Sequence, residues 1–203
     1  MKTLALLAAL AAFGLPLQDV DEATEPATGV AFATSVGESQ EMRLLGVAAR
    51  TRWMFKIYAI GLYAEVDPLR ELLGEGPVND QRLSAAVIAS RGQRALVLKF
   101  VRNLTAEQFQ GAFSEGIERT IAINDERIAA DAATFLDAIT DIANGDVAVL
   151  WFGGEGEITL NVNDEEEARM QVTNRTLARA ILSIYLGLDP VDERLKRNLM
   201  SMI

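Results

Sequence analysis

The sequence of 203 residues contains no cysteine and no histidine. Their absence excludes a thiol nucleophile, an imidazole base, a zinc site built from Cys or His, and haem held by a proximal His. The side chains that remain for chemistry are carboxylates, Arg and Lys, Tyr, and Ser and Thr. We therefore expect no metal and no cofactor, and a chain of this length can bury a core without either.

Positive charge is also scarce. The 19 Lys and Arg residues stand against 29 Asp and Glu residues, so the formal net charge is -10 and the sequence pI is about 4.6. Proteins that bind nucleic acid present a broad basic face, so we expect no nucleic-acid partner. Hydrophobic residues make up 50% of the chain and charged residues 24%, which is typical of one globular domain.

The apolar run at the N-terminus is short. It covers residues 4–15 after Lys2, whereas a membrane span needs about 20 residues. A charged start, an apolar centre and small residues beyond it are typical of a secretory signal peptide, which we predict over residues 1–19, with cleavage after Gly14 and Ala12 at the -3 position. A buried N-terminal helix is the alternative. With the signal peptide removed, the protein is expected in the periplasm or the medium, with no membrane span and, without Cys, no lipid anchor.

The segment after the signal peptide differs in composition from the rest of the chain. Residues 20–29 are rich in Asp, Glu, Thr and Pro, which predicts a flexible acidic leader. No repeat and no comparable linker follows. Residues 30–203 are therefore interpreted as a single domain.

Apolar patterning in the first half predicts mainly strands. Strands are expected over 29–36 and 42–49, flanking the turn-forming "GESQ", and over 53–66 and 95–102. A short helix is expected over 68–73, capped by Asp67 and stopped by Gly74, while residues 81–90 are ambiguous.

The second half is predicted to begin with two helices. Thr105 and Gln108 form a capping box for the first helix, and Asn124-Asp125 starts a second that should run to Asn144-Gly145. The first helix carries an apolar stripe at Phe109, Phe113, Ile117 and Ile121. Strands are then expected over 147–152, 157–162 and 168–172, and final helices from Asn174 and from Asp189-Pro190. Because the helices come in runs, the order favours an α+β fold: an antiparallel sheet with a helical layer on one face.

Three patterns have more than one reading. "GGEGE" at 153–157 joins two strands, so it predicts a hairpin turn, since a phosphate loop opens a helix. "DEEE" at 164–167 lacks calcium-loop spacing and is interpreted as a solvated turn. The Phe109 and Phe113 stripe belongs either to the core or to the wall of a ligand pocket, and periodicity does not distinguish the two.

The most unusual stretch runs from Met42 to Ala64, where an acidic protein carries positive charges and no acid. Its basic residues are Arg43, Arg50, Arg52 and Lys56. Arg50 cannot lose its charge, and burying it unpaired is costly. It must therefore meet an internal acid, stay at the surface, or hold a ligand anion.

This stretch, "LLGVAARTRWMFKIYAIGLYAE", resembles the paired-strand motif of the chalcone isomerase-like superfamily. In that motif small residues precede an Arg, and "GxY" follows an aromatic-Lys-hydrophobic strand. The resemblance continues in "LVLKFVRNLTAEQFQGAF", "VAVLWFGGEGEITLNVN" and "NRTLARAILSIYLGLDPVDERLKRNLM", in the expected order from about residue 40 to 203. It favours the bacterial, exported branch and implies an open-faced β-sandwich with a helical layer.

Plant chalcone isomerases cyclise a chalcone by attack of a phenolate on an enone. The resemblance places their Arg, Thr, Tyr, Asn and Ser/Thr at Arg50, Tyr58, Phe109, Gly116 and Ala178. Three of the polar positions therefore lack a hydrogen-bonding side chain, and losing one oxyanion donor typically costs about 10²–10³ in rate. Efficient chalcone isomerisation is not expected.

Other superfamily members bind fatty acids through an Arg and a Tyr at an apolar cavity. By that resemblance, Arg50 and Tyr58 would hold a carboxylate, with Phe109 and Phe113 along the tail. Gly116 and Ala178 would leave room for the ligand.

These considerations favour a non-catalytic, exported protein that binds a small amphipathic acid such as a fatty acid. An isomerase or intramolecular lyase acting on an enone or phenolic substrate, with Tyr58 as donor, is the second hypothesis. A structural or partner-binding domain is the third. The sequence identifies neither the ligand nor a protein partner.

Overall fold

The computed structural model describes residues 21–36, 42–121, 125–163, 165 and 167–202. The predicted signal peptide, the "GESQ" turn, Asn124 and part of the "DEEE" run lie outside the described residues. In chain order the elements are β1 Glu22–Thr24, β2 Ala31–Ala33, β3 Ser35–Val36, β4 Met42–Arg52, β5 Phe55–Glu65, α1 Val66–Leu73, α2 Asp80–Ala89, β6 Arg94–Phe100, α3 Ala106–Thr120, α4 Glu126–Asp137, β7 Val147–Phe152, β8 Glu157–Val162, β9 Met170–Thr173, α5 Arg175–Leu186 and α6 Glu193–Asn198.

Seven strands form one antiparallel sheet in the order β3-β4-β5-β6-β7-β8-β9. Each strand pairs with the next one along the chain, and β4 and β5 form the longest hairpin, with 11 residues in each strand. The helices pack on one face of this sheet and each contributes to the same core, for example through Leu69, Leu83, Phe113, Phe135, Ile181 and Leu195. The predicted α+β fold, an antiparallel sheet with a helical layer on one face, is therefore confirmed.

Successive residues of β5 point to opposite faces of the sheet. Tyr58, Ile60 and Leu62 join the core beneath the helices, whereas Ala59 and Tyr63 belong to a second apolar cluster on the other face. This alternation orients Tyr58 toward the helical layer.

A two-stranded hairpin, β1 paired with β2, covers part of that other face. Phe32 of β2 is 1% exposed in the second cluster, and the hydroxyl of Tyr63 donates to the carbonyl oxygen of Ala33 at 2.8 Å. The carboxylate of Glu25 accepts hydrogen bonds from the backbone N–H and the hydroxyl of Thr28. The described part of the predicted flexible leader is thus ordered in a hairpin, because Phe32 and Glu25 have partners that composition does not reveal.

Several helix ends agree with the sequence. Thr105 and Gln108 form the predicted capping box of α3, the side chain of Asp125 caps α4, and the side chain of Asn174 caps α5. α1 ends at Gly74 as predicted. In each helix with a side-chain cap, the side chain satisfies backbone N–H groups that have no partner within the helix.

Other ends differ from the prediction. α1 begins two residues earlier than predicted, with Glu65 before it and Asp67 in its first turn, and the ambiguous residues 81–90 fall almost wholly in α2. α4 stops at Asp137 because the chain turns away to pair Ile142 with Leu104.

The last helix also starts later than predicted. α6 begins at Glu193 with Asp192 as its cap, because the backbone N–H of Val191 returns to the carbonyl oxygen of Ile184 in α5. Within the described ranges, no helix combines the length and the apolar character that a bilayer crossing requires.

Candidate functional site

Arg50 lies near the end of β4, directly opposite Tyr58 of β5, so both side chains are on the helical face of the sheet. Its side chain is 22% exposed. Nη1 donates to the carbonyl oxygen of Thr51 at 3.1 Å and lies 4.0 Å from Oδ2 of Asp192. A partly exposed ion pair is typically worth about 0–1 kcal/mol. The Arg50 charge is therefore only loosely neutralised.

Two buried tyrosines stand next to this arginine. The hydroxyl oxygens of Tyr58 and Tyr185, on β5 and α5, are 3.2 Å apart, and both side chains are buried. Burial raises the pKa of Tyr58 above its ordinary value of 10.0, against smaller lowering effects of Tyr185 and Arg50. Burial raises the pKa of Tyr185 well above its ordinary value of 10.0, and the neighbouring Tyr58 raises it further. Both phenols are thus neutral hydrogen-bond donors at neutral pH.

Four phenylalanines continue from Tyr58 into the core. Each ring meets the next edge-on, with centroid distances of 5.5, 5.2, 5.1 and 5.1 Å, in the order Tyr58, Phe100, Phe109, Phe113 and Phe135. This geometry is the favoured one for aromatic pairs. An apolar path therefore leads from the two hydroxyls to the centre of the helical layer.

The core around this path is closed. The void beside Phe109, Phe113 and Phe135 has a volume of about 10 Å³ and is lined only by apolar residues. That volume suits at most one water molecule. A hydrocarbon tail fits here only if the helical layer and the sheet move apart.

The predicted site residues fall in three places. Arg50, Tyr58, Phe109 and Phe113 lie along the aromatic path. Gly116 lies on the side of α3 that faces α5, where a Cβ atom added to the glycine would be 2.7 Å from the Ile184 side chain.

Ala178 lies elsewhere, at the opposite end of α5 from Tyr185. The two residues are seven positions apart, which is about 10.5 Å along a helix. Ala178 lines a separate basic cavity. The room that Ala178 was expected to leave is therefore not beside Arg50.

Sequence reasoning missed two neighbours of Arg50, namely Tyr185 and Asp192. Tyr185 follows Ile181 and Ile184 in an apolar helical stripe, which favoured a purely packing role. The available signal was rarity, because the chain has only three tyrosines. Asp192 carried the signal of a helix cap, a role that it also performs.

The arrangement combines one cation, two neutral donors and an apolar wall. A guanidinium pairs with a carboxylate through two hydrogen bonds, and a phenol donates to the same oxygens. An apolar site with a few convergent polar groups is the usual composition of a small-molecule pocket. The geometry suits the head group of an organic acid.

Known proteins are similar to this chain in sequence and in fold. Fatty-acid-binding protein 1 of Arabidopsis thaliana is 26% identical over 204 residues, which cover 89% of this chain and 70% of that protein. A crystal structure of an Arabidopsis thaliana fatty-acid binding protein superposes with a TM-score of 0.74 at 20% identity, covering 89% of this chain and 96% of that chain. The family model described as chalcone isomerase-like matches residues 25–201, and the chain therefore belongs to the chalcone isomerase-like family.

Proposed function

We propose that this protein binds a fatty acid, or a similar amphipathic acid, without converting it. The observation that carries the proposal is the loosely paired Arg50 beside the buried Tyr58–Tyr185 pair, at the start of an apolar aromatic path. The sequence relative that is named for fatty-acid binding supports the same ligand class. Arg50 would hold the carboxylate, and the two hydroxyls would donate to its oxygens.

The closed core shapes how such a ligand would bind. Burying a CH₂ group contributes about 0.8 kcal/mol, so a long tail supplies the free energy to separate Phe109 and Phe113 from the sheet. Binding therefore involves movement of the helical layer, and short acids without a tail should bind weakly.

Conversion of the ligand is not proposed, because three positions of the site have lost a hydrogen-bonding side chain. By the family resemblance, Phe109, Gly116 and Ala178 occupy positions that are polar in plant chalcone isomerases. Each lost oxyanion donor typically costs about 10²–10³ in rate. Arg50 and Tyr58 alone suit binding better than catalysis.

The test is titration calorimetry of the purified protein with laurate, together with an Arg50→Gln variant. Hydrogen bonds to a charged group are typically worth 1.5–3 kcal/mol, so we expect Arg50→Gln to weaken laurate about 10- to 150-fold. Arg43→Gln is the matched control, because Arg43 is an exposed residue of the same strand. The proposal fails if the wild type does not bind laurate, or if Arg50→Gln binds it equally well.

The closed core and the nearby Asp192 favour a second candidate, a structural domain in which Arg50 is an internal tie. Asp192→Asn distinguishes the two. For a ligand site, removal of the competing carboxylate should leave laurate affinity unchanged or tighter. For an internal tie, Asp192→Asn should lower the free energy of unfolding while no organic acid changes the melting temperature.

We also propose that the protein is exported, on the basis of the signal-peptide pattern in residues 1–19. Expression of the full chain in a Gram-negative host, fractionation and N-terminal sequencing test this. Recovery from the periplasm with a new N-terminus near residue 15 is expected, whereas an intact chain in the cytoplasm would contradict the proposal.

A further inference from the structure

Four arginines surround a second cavity at the end of α5 away from Tyr185. The cavity has a volume of about 50 Å³, and Arg91, Arg94, Arg175 and Arg179 line it together with Ser90 and Ala178. The arginines come from the loop between α2 and β6, from the start of β6, and from the first two turns of α5. Such a concentration of positive charge is unexpected in a chain with net charge -10.

Arg94 is the buried member of the group. Its residue is 4% exposed, Nη2 donates to the carbonyl oxygen of Gly153 at 2.8 Å, and Nη1 contacts that of Val87 at 3.4 Å. Its Nε has no hydrogen-bond partner among the described residues. Burial, followed by repulsion from Arg179, lowers the pKa of Arg94 to about 10, so it stays charged at neutral pH. A buried cation with only neutral partners favours an anion beside it.

Nearby carboxylates only partly balance this charge. Glu155 pairs with Arg175 at 2.9 Å. Glu65 and Glu157 also lie near Arg94, but each accepts a backbone N–H through its Oε2 atom. Among the described residues, Arg91, Arg94 and Arg179 have no carboxylate oxygen within 4.0 Å. The cavity therefore retains positive charge.

The Gly-rich turn "GGEG" between β7 and β8 forms one wall of this cavity. It is a hairpin turn, as the sequence predicts, and it packs against α5. Gly156 has a φ of 101°, and a Cβ built on it would lie 2.6 Å from the backbone nitrogen of Arg175. Glycine therefore permits the turn to reach the beginning of α5, where the helix dipole adds further positive potential.

We propose that this cavity binds a phosphate-type oxyanion, either the free ion or the head group of a lipid phosphate. One water molecule needs about 10–15 Å³, so a cavity of about 50 Å³ has room for roughly three to five atoms of that size, comparable to a phosphate group. Guanidinium groups arriving from several directions match oxygens that point in several directions. The site is independent of Arg50 and of the proposed carboxylate ligand.

Titration with inorganic phosphate at constant ionic strength tests this proposal. We expect phosphate to bind the wild type and to raise its melting temperature, and we expect Arg179→Gln and Arg91→Gln each to weaken binding at least tenfold. Both side chains belong to exposed residues, so the variants should fold. Arg50→Gln should retain phosphate binding, which separates this site from the carboxylate site.

A second titration with dodecyl phosphate distinguishes the two sources of the anion. Tighter binding than inorganic phosphate, with the same dependence on Arg179, assigns a lipid head group, whereas equal affinity assigns the free ion. Absence of phosphate binding to the wild type overturns the proposal. Phosphate binding that both arginine variants retain overturns it as well.

A different observation concerns the tip of the β4–β5 hairpin. Trp53, Met54 and Phe55 are 91%, 83% and 52% exposed. Trp53 has a φ of 62°, an uncommon conformation for a bulky residue. Three successive large apolar side chains are thus held in solvent at the end of a long hairpin.

Cations surround this apolar tip. Arg52, Lys56 and Arg102 are all exposed, and the guanidinium of Arg102 lies 4.3 Å from the centroid of the Phe55 ring. The strand stretch contains no acid between Met42 and Ala64. Aromatic and apolar groups next to Lys and Arg are typical of segments that enter the interface of an anionic membrane.

We infer that the hairpin tip docks on an anionic lipid surface. Arg50 and Tyr58 form the third residue pair from the tip of the same hairpin, so docking would place the proposed fatty-acid site close to the membrane. The consequence for ligand uptake rests on the proposed function, whereas docking of the hairpin tip does not depend on it.

Sedimentation with phosphatidylcholine vesicles, with and without phosphatidylglycerol, tests the inference. We expect binding only to the anionic vesicles and a loss of at least tenfold for a Trp53→Ser, Met54→Ser double variant. Leu188→Ser is the matched control, because Leu188 is an equally exposed apolar residue elsewhere. Laurate affinity measured without vesicles should be the same in the wild type, the double variant and Leu188→Ser, so failure of docking leaves the proposed function untouched.

Fluorescence gives an independent measure of the contact. In a Trp151→Phe background Trp53 is the only tryptophan, and its emission should shift to the blue on anionic vesicles. No vesicle binding, or binding that the double variant retains, overturns membrane docking and leaves a protein surface as the occupant of the tip.

Discussion

Arg50 of β4 lies near the C-terminal end of α5, and Arg94 of β6 lies near its N-terminal end. The surroundings of the two side chains differ. Arg50 is partly exposed, with Asp192 at 4.0 Å and two neutral phenols beside it. Arg94 is 4% exposed, holds two backbone carbonyl oxygens and faces further arginines. The same side chain therefore suits a single carboxylate with an apolar tail at one end, and a compact ion with several negative oxygens at the other.

The two arginines also differ in the space available beside them. Behind Arg50 there is an aromatic path that must open for a ligand, whereas the cavity beside Arg94 is already present at about 50 Å³. Preformed polar sites lose little on binding, while a closed apolar site first loses packing. We therefore expect the acyl site to be slow and plastic and the oxyanion site to be rigid.

The largest expected effect concerns hydrophobic packing around the two ends of α5. Phe113→Ala should lower the free energy of unfolding by about 3–5 kcal/mol, because it leaves a cavity in the aromatic path. Ile88→Ala, at the half-buried edge of the basic cavity, should cost at most about 2 kcal/mol. Urea unfolding measures both. Equal decreases in the free energy of unfolding would show that hydrophobic packing does not differ between the two ends.

The two ends should also respond oppositely to alkaline pH. Above pH 10 an unfolded tyrosine loses its proton, while Tyr58 and Tyr185 keep theirs because burial raises their pKa. Each phenol then lowers the free energy of unfolding by up to about 1.4 kcal/mol per pH unit. Burial lowers the pKa of Arg94 from its ordinary value to about 10, so above that pH the unfolded state holds this proton more tightly and the free energy of unfolding rises.

Urea unfolding between pH 9 and 11 measures these contributions. Tyr58→Phe should make the alkaline loss of stability shallower, and Arg94→Met should make it steeper. Slopes that do not change in either variant would contradict the assignment of the buried phenols and the buried guanidinium.

The smallest expected effect concerns the contact between α3 and α5 next to Tyr185. Gly111 and Gly116 both lie in α3, but a Cβ on Gly111 meets nothing within 4 Å, whereas one on Gly116 meets Ile184 of α5. Gly111→Ala should stabilise the protein by about 0.5–1 kcal/mol. Gly116→Ala should lose that gain, since Ile184 must shift. Thermal unfolding of the pair measures the difference, and equal stabilisation would show that α3 and α5 pack loosely.

Much of the fold was predictable from local pattern. The capping box at Thr105, the alternation in β8, and the antiparallel sheet with its helical layer all follow from residues close together in the chain. The boundaries that were wrong, such as the start of α6, depend on a contact between Val191 and Ile184 that belongs to the packed state. The structured leader likewise depends on the distant Tyr63 and on burial of Phe32.

The candidate site was predictable only in part. Family resemblance singled out Arg50 and Tyr58, and register in the β4–β5 hairpin brings them together because they are close in sequence. Ala178 was associated with the same cleft, yet it lines the basic cavity. A helix presents different residues at its two ends, and sequence periodicity does not say which end meets which strand.

By itself, the sequence determined which chemistry is available and where most of the strands and helices form. Without Cys or His, the chemistry must depend on carboxylates, arginines, lysines, tyrosines and hydroxyls. Only the tertiary structure decided that Tyr58 meets Tyr185, 127 positions away, and that four arginines share one cavity. Caps and periodicity act between neighbours along the chain, whereas these sites arise from packing of the sheet against α5, which the local pattern does not encode.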